Sequence, residues 1–446
     1  MTAPPPAPAS TPPRSIPIGS ATPAAPNPSV KPPSVTGPWQ WANLLRAPHR
    51  LAFFLAMCVL IAASAWWLLV QVDRATGALG LVYAVPPSLT HGAAMVLGFM
   101  PLFFAGFLFT AGPNWLRMPH PEARPLLPPL GLQAAGWLLW LAGAHLNMAL
   151  ALVGLAAAWI GLTWSVVLFW RLVLGSDVAD RVHAKTVGVG GVVGVLCLAG
   201  VGVALEAGQP ALALVLVRTA LWGFIVVTFV AVAHRMIPFF TSSVLPMIEI
   251  WRPFWVLWLM LGIAAFEVLA LWVDWALPPP RWWTLLVMAV EIAVGAVLIW
   301  LAVVWGLVQS LKIRLLAMLH VGFVWFGVAL IYSALSQGLW LASGQPVLGL
   351  GALHALSMGF LGSIMVAMVT RVSCGHSGRA LVADDLVWGL FWALQGAVLV
   401  RLIAAVQHAP AWLTTLAAAL WAAVIIAWAL RYARWYGQPR TDGKPG

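Results

Sequence analysis

The stretch "HALSMGFLGSIMVAMVTRVSCGHSGR", residues 354–379, carries a histidine near each end and no charged residue before Arg371. A helix running from His354 to His376 is about 33 Å long, which is roughly the thickness of the hydrocarbon core of a bilayer. The segment therefore predicts a transmembrane helix. Its two histidines are expected near opposite faces of the membrane, where they belong to different sites.

The whole chain has the same apolar character as this segment. Hydrophobic residues make up 62% of it and charged residues 8%, and the mean hydropathy is +0.94. A soluble core does not need so much apolar surface. Runs long enough to cross a bilayer occur near 51–71, 91–111, 129–148, 150–170, 187–206, 211–233, 254–273, 282–306, 315–337, 349–370, 386–405 and 411–431. We therefore predict an all-α membrane protein, with a bundle of about twelve transmembrane helices over residues 46–435.

The distribution of charge predicts the orientation of this bundle. Arginine and lysine concentrate in the two tails and in every second loop, whereas the remaining loops keep little more than Arg74 and Arg281. By the positive-inside rule, both termini are cytoplasmic. The net charge of +11 is then explained by topology and by the bilayer as partner, which excludes nucleic acid. Residues 1–45 are expected to form a disordered Pro/Ala-rich cytoplasmic tail, and residues 436–446 a short cytoplasmic tail.

Sorting the histidines by depth separates two sets. His91, His145 and His354 fall near the outer ends of their spans, and the inner ends carry His234, His320 and His376. An ionisable group inside a membrane is costly and so marks a candidate site. A neutral imidazole that only bonds between helices is the alternative for each histidine alone. Three histidines at one depth favour a set of ligands.

The outer set has two possible ligand chemistries. Met95 follows His91 by four residues, and Met148 follows His145 by three, and imidazole with thioether suits copper. Methionine also fills gaps in apolar interiors, so this signal stays ambiguous. The small residues beside His91 and His354 leave room for a flat macrocycle, and two histidines on different helices can hold the iron of haem b from both sides. His91 and His354 are thus candidate axial ligands.

Two charged residues lie inside the predicted spans. Arg218, in the outer third of span six, suits a haem propionate or an anionic substrate, and an ion pair with Glu206 or Glu267 is the alternative. Glu291 lies deep in span eight, where a proton path is one interpretation. A secondary transporter of a small anion or a metal complex, lined by Arg218, Glu291 and the histidines, is therefore the alternative function.

Five segments resemble, in order and spacing, motifs of the NnrS family. They are "HGAAMVLGF" (91–99), "AGFLFTAGPNW" (105–115), "HRMIPFFT" (234–241), "LHVGFVWFG" (319–327) and the opening stretch, 354–379. The resemblance implies a twelve-span protein of the bacterial inner membrane that binds haem and copper and acts in nitric oxide metabolism and resistance to nitrosative stress. It implies this physiology rather than a reaction. Enzymatic turnover, an electron donor and the oligomeric state stay open.

This chain keeps most of the residues of the family's motifs, but it differs at two positions of the span-two motif. The residues that keep the pattern are His91, Met95, His234, Arg235, Pro238, His320, His354, Arg371, His376, Gly378 and Arg379. The span-two motif of the family carries a second histidine and a glutamate where this chain has Ala93 and Ala94. The kept motif residues, together with a common depth, lead to the hypothesis that His234, His320 and His376 form a second, inner-face site, with copper as its candidate metal.

The placement of His91 and His354 on spans two and ten is also similar, in architecture, to haem–copper oxidases. In those proteins, histidines near the outer ends of helices two and ten hold a low-spin haem. The copper-binding histidines of helices six and seven have no match here, because span six carries Arg218 at that depth. The similarity supplies a geometry for the outer pair and no activity.

Overall fold

The structure is a computed structural model that describes residues 37–444. These residues form helices and contain no strand, and twelve of the helices are long and apolar enough to cross a membrane, which confirms the predicted fold. The helices are α1 Pro48–Thr76, α2 Pro87–Leu116, α3 Arg124–Leu146, α4 Met148–Leu174, α5 Val182–Glu206, α6 Pro210–Val244, α7 Phe254–Ala276, α8 Arg281–Val304, α9 Arg314–Ser343, α10 Gly351–His376, α11 Asp385–Ile403 and α12 Trp412–Tyr436. Most of the predicted tail 1–45 lies outside the described residues.

Because the number of spans is even, α1 begins and α12 ends on the same side of the bundle, here called the terminal face. The other side is the opposite face. At the terminal face the Asn43 side chain donates a hydrogen bond to the carbonyl of Gly437 (2.8 Å), and Arg50 donates one to the carbonyl of Gln438 (2.7 Å). Gly437 and Gln438, which follow α12, are therefore packed against the start of the bundle.

Helices α3 and α4 follow each other without a loop. Asn147 has an extended backbone (φ −170°, ψ 156°), and its side chain accepts a hydrogen bond from the amide of Leu150 (2.8 Å), which caps the start of α4. The two helices approach so closely that a Cβ atom on Gly143 would lie 2.3 Å from the amide nitrogen of Ala151. Gly136 and Gly154 face the same contact. Small residues allow transmembrane backbones to approach in this way.

Helices α2, α6 and α10, every fourth span, are central in the bundle. The buried share of the most apolar window is 72% in α2 and α10 and 67% in α6, a value that α9 also reaches, against 33% in α7, α8 and α11. The three helices meet through aromatic rings, with Phe229 5.4 Å from Phe104 and 6.0 Å from Phe360 between centroids. Phenylalanine and methionine side chains from the three helices line an apolar cavity of about 60 Å³.

Each of these central helices contains a π-helical segment. The segments are Ala94–Gly98, Leu221–Val226 and Ala355–Gly362. They begin three residues after His91, three residues after Arg218 and directly after His354. Segments of this type are rare and are often found at functional sites. The three polar residues predicted from the sequence thus lie at corresponding places in the three central helices.

The close contact of α3 and α4 yields a test of the packing. Replacing Gly143 by Ala should lower the thermal unfolding midpoint in detergent, because the new methyl group overlaps the backbone of Ala151. We expect a loss of about 1–3 kcal/mol, the usual cost of overpacking. The matched control is Gly131→Ala in α3, where a Cβ atom meets no other atom within 4 Å. Equal midpoints for the two variants would contradict the packing.

Candidate functional site

His91 lies in the first turns of α2, near the opposite face. Its ring stacks on the indole of Trp67 in α1, with centroids 3.9 Å apart and planes 16° apart. Its Nδ1 atom is buried and has no hydrogen-bond partner within the described part of the chain. A buried imidazole nitrogen without a partner is costly unless a ligand or a water satisfies it. His91 therefore has the property expected of a residue that binds something.

His354 lies in the first turn of α10, near the same face as His91. Its Nδ1 atom is 2.8 Å from the carbonyl oxygen of Leu350, so the ring donates from Nδ1 to this acceptor. That bond fixes the tautomer in which Nε2 keeps a free lone pair, as is usual in histidine ligands. The two imidazoles lie within electrostatic range of each other. The structure thus brings together the two histidines that the sequence proposed as a pair.

Two arginines accompany this pair at the opposite face. Arg401, at the end of α11, lies within electrostatic range of both His91 and His354. Arg74, at the end of α1, places its guanidinium 5.4 Å from the centroid of Trp67, the ring on which His91 stacks. Neither arginine was singled out from the sequence. They give the two-histidine site a cationic border that suits an anionic group such as a carboxylate.

His145, the third member of the predicted outer set, has a hydrogen-bonding role in this structure. Its Nε2 accepts from the indole of Trp66 (2.7 Å), and its Nδ1 lies 2.8 Å from the carbonyl oxygen of Val82. With both ring nitrogens engaged, no lone pair is left for a metal. Met148 and Met95 pack against the hydrophobic core, the gap-filling role that the sequence left open.

The small residues beside the two histidines have different roles. A Cβ atom on Gly359 would lie 2.7 Å from the ring of Trp325, so this glycine allows α9 and α10 to approach. A Cβ atom on Gly92 would only meet Leu214 at 3.6 Å, an ordinary contact. Ala93 and Ala94 are buried. Gly359 is therefore explained by the close packing of α9 on α10, and it does not provide space for a macrocycle.

The structure does not bring His234, His320 and His376 together, which corrects the expectation of one inner site. His234 Nδ1 lies 3.0 Å from His183 Nε2, and His320 Nε2 lies 3.0 Å from Thr241 Oγ1. His376 instead contacts His49, with ring centroids 4.5 Å apart. Among residues 37–444, no group of three His, Cys, Asp or Glu side chains is placed to hold a metal ion. Each histidine has a partner that the spacing along the chain does not reveal.

The remaining motif residues at the terminal face make packing contacts at the ends of helices. The guanidinium groups of Arg235, Arg371 and Arg379 lie over aromatic rings, 5.1, 4.0 and 4.2 Å from the centroids of Trp115, Phe240 and Trp435. Such cation–π contacts stabilise cations at low cost in solvation. Pro238 is buried inside α6. These residues fix the ends of the three central helices.

Gly378 ends this region with a conformation that side chains disfavour. Its φ angle is +73°, and a Cβ atom there would lie 2.7 Å from the Asp442 side chain. Asp442 is paired with Arg440 (2.7 Å), whose guanidinium holds the pKa of this carboxyl group well below its usual range. The amide of Thr441 donates to the carbonyl of Ser377 (3.0 Å). The chain after α12 therefore packs on the end of α10.

Arg218 lies away from salt-bridge partners. None of the ion pairs in the described residues includes it, so the predicted alternatives with Glu206 and Glu267 do not form. It lines a chamber of about 450 Å³ shared with Glu267, Glu291 and Gln337. This chamber is lined by no histidine. The cations at the border of the two-histidine site are Arg401 and Arg74.

The fold and this site define a class of protein, a twelve-span helical membrane protein with a two-histidine polar site at one end of its central helices. The family described as NnrS protein matches residues 43–440, nearly the whole chain of 446 residues. The chain therefore belongs to the NnrS family. No curated protein matches it.

Gly378 provides the test of the contact between the C-terminal residues and α10. Replacing Gly378 by Ala should lower the thermal unfolding midpoint, because a side chain at positive φ costs about 1–2 kcal/mol before the overlap with Asp442 is counted. The control is Gly375→Ala in the same turn, where a Cβ atom meets Leu381 at an ordinary 3.4 Å. The prediction fails if Gly378→Ala unfolds at the wild-type temperature.

Proposed function

We infer that this NnrS-family protein binds haem b between α2 and α10 and acts in nitric oxide metabolism and resistance to nitrosative stress. The observation that carries this proposal is the pairing of His91 and His354 near one face of the bundle. The family membership supports the physiological part. As in the family it resembles, the protein would lie in the bacterial inner membrane, and the distribution of basic residues would place both termini in the cytoplasm.

The residues present fit haem as a ligand. Each of the two imidazoles has a nitrogen without a protein partner, Nδ1 in His91 and Nε2 in His354, and two such nitrogens on different helices are what a six-coordinate haem needs. The carbonyl of Leu350 orients His354. Arg401 would hold a propionate, a role that the sequence assigned to Arg218. When bound, the haem would supply one-electron chemistry at its iron.

The donor set supports haem better than copper. No group of three or more His, Cys, Asp or Glu side chains converges among the described residues. Ala93 and Ala94 contribute no ligand, and both nitrogens of His145 are already hydrogen-bonded. We therefore derive no copper chemistry for this chain.

The apolar cavity between α2, α6 and α10 suits the proposed physiology. Its lining includes Phe104, Phe229, Met365 and Met368, and its volume of about 60 Å³ exceeds the need of one water-sized molecule. Apolar cavities stay dry and take up small apolar molecules. Nitric oxide is a small molecule of low polarity, so the cavity offers it a place inside the protein.

The visible spectrum of protein purified in detergent from haem-replete cells tests the haem proposal. A haem with two histidine ligands should give a sharp α-band on reduction. Replacing either His91 or His354 by Ala should abolish this band, because one axial ligand is lost. Added imidazole should restore it in His354→Ala, which separates the loss of a ligand from the loss of the fold.

The matched control for this test is His376→Ala at the other end of α10, which should keep the band. Two outcomes would contradict the proposal. One is a wild-type protein without haem from haem-replete cells. The other is a band that survives in His354→Ala without imidazole or that disappears in His376→Ala as well.

Arg401 gives a second test, which reads the electrostatics of the site. Replacing Arg401 by Gln removes a cation near both histidines and should make the haem harder to reduce. We expect the midpoint potential in a redox titration to fall by on the order of tens of millivolts, as burial and nearby charge tune haem potentials. Arg281→Gln, an exposed arginine at the same face, should leave the potential unchanged. Equal shifts of the midpoint potential in the two variants would contradict a place for Arg401 beside the haem.

A further inference from the structure

The polar chamber beside Arg218 is a second candidate site, separate from the two histidines. It lies between α6, α7, α8, α9 and α10, in the half of the bundle next to the opposite face, and has a volume of about 450 Å³. Its lining reaches the opposite face at Asp274 and at Gly349 in the loop before α10. The volume is sufficient for a small ion with several waters. The chamber is therefore accessible from the aqueous side.

Arg218 is a cation without a counter-ion in this part of the membrane. It lies eight residues after the start of α6, and no carboxylate of the described chain is within salt-bridge distance of it. The three ion pairs of residues 37–444 are all at the terminal face. A charge at membrane depth is retained only for a function or with a partner. A guanidinium facing a polar chamber is suited to bind an anion.

The chamber also contains a pair of carboxyl groups. Glu291 is 1% exposed, and its Oε2 accepts a hydrogen bond from Gln337 Nε2 (2.8 Å). The carboxyl group of Glu267 faces that of Glu291 at hydrogen-bonding range. Two carboxyl groups bond to each other only when one of them keeps its proton. The Oε1 atom of Glu267 is buried and accepts no hydrogen bond from a donor among the described residues.

The charges of the chamber balance only if anion and proton bind together. Arg218 contributes one positive charge, and the carboxyl pair with its shared proton contributes one negative charge. Asp274, the remaining charged group of the lining, is exposed to solvent, while α9 and α10 add neutral residues only. An anion at Arg218 would add a negative charge to a buried space, which a second proton on the carboxyl pair would cancel.

We propose that this chamber binds a small inorganic anion, a monovalent oxyanion or a halide, at Arg218, together with one proton at the Glu267–Glu291 pair. The site is independent of haem. In the binding step, a proton moves from hydronium or buffer acid in the solvent to a carboxylate oxygen of the pair, and no other covalent bond changes. Anion affinity is therefore higher in acid than at neutral pH.

Isothermal titration calorimetry on the full-length protein in detergent tests the proposal. The probes are sodium nitrate, sodium nitrite and sodium chloride at constant ionic strength, at neutral and at mildly acidic pH. Two buffers of different ionisation enthalpy count the protons taken up. We expect at least one probe to bind, more tightly in acid, with uptake of one proton for each anion. Absence of binding by all three probes to folded protein at both pH values overturns the proposal.

Variants assign the anion and the proton to their residues. Arg218→Gln should raise the dissociation constant of the anion about tenfold or more, which corresponds to the loss of one charge-assisted contact. Arg281→Gln, which removes an exposed arginine at the same face, is the matched control and should bind as wild type. Wild-type affinity in Arg218→Gln contradicts the assignment.

The double variant Glu267→Gln/Glu291→Gln tests the coupling and decides the matter if Arg218→Gln does not fold. It should bind the anion at neutral pH without proton uptake and without dependence on pH. Proton uptake that persists in this variant excludes the carboxyl pair. His91→Ala, which is expected to lose haem and lies on α2, outside the lining of the chamber, should keep anion binding, so that a failure of the haem proposal and a failure of this one are distinguishable.

Discussion

The cost of a polar group in hydrocarbon is the constraint on which the rest of this structure depends. Backbone groups meet it by forming helices throughout the bundle. Ionisable side chains meet it in two ways. At the terminal face, arginines lie over aromatic rings or pair with carboxylates, as Arg371 does with Phe240 and Arg314 with Asp385. In the interior, His91, Arg218 and His354 are carried on α2, α6 and α10, which are among the most buried helices of the bundle.

This constraint explains why the fold was predictable from the sequence. A bilayer fixes the length of every span, so apolar runs and loop charges were sufficient to predict twelve helices. The division between α3 and α4 was the least marked, and it is made by the single extended residue Asn147 with its cap on Leu150. Depth along a helix was also predictable. The same helix length that separated His354 from His376 placed His91 at the depth of His354, because both histidines lie near the starts of spans at the same face.

Lateral position within the membrane was not predictable, and this accounts for what the sequence missed. His234, His320 and His376 share a depth, but they face His183, Thr241 and His49 respectively. The depth of a residue along its helix does not show which neighbouring helix its side chain faces. Arg401 was missed because it lies at the end of an apolar span and resembles an ordinary boundary residue. Its proximity to both histidines results from the packing of α11 against α10.

In each of the three central helices, a π-helical segment separates a polar residue from the lining of the apolar cavity. Each wide turn shifts the register of a central helix just after His91, Arg218 or His354, so the residues before it face a different direction from those after it. After the turns, the helices present the phenylalanines and methionines of the apolar cavity. Before the turns, they present imidazole or guanidinium. A regular helix would have to place both kinds of side chain on one continuous stripe. The interruption instead allows the same three helices to close a dry core and to expose polar groups toward the opposite face.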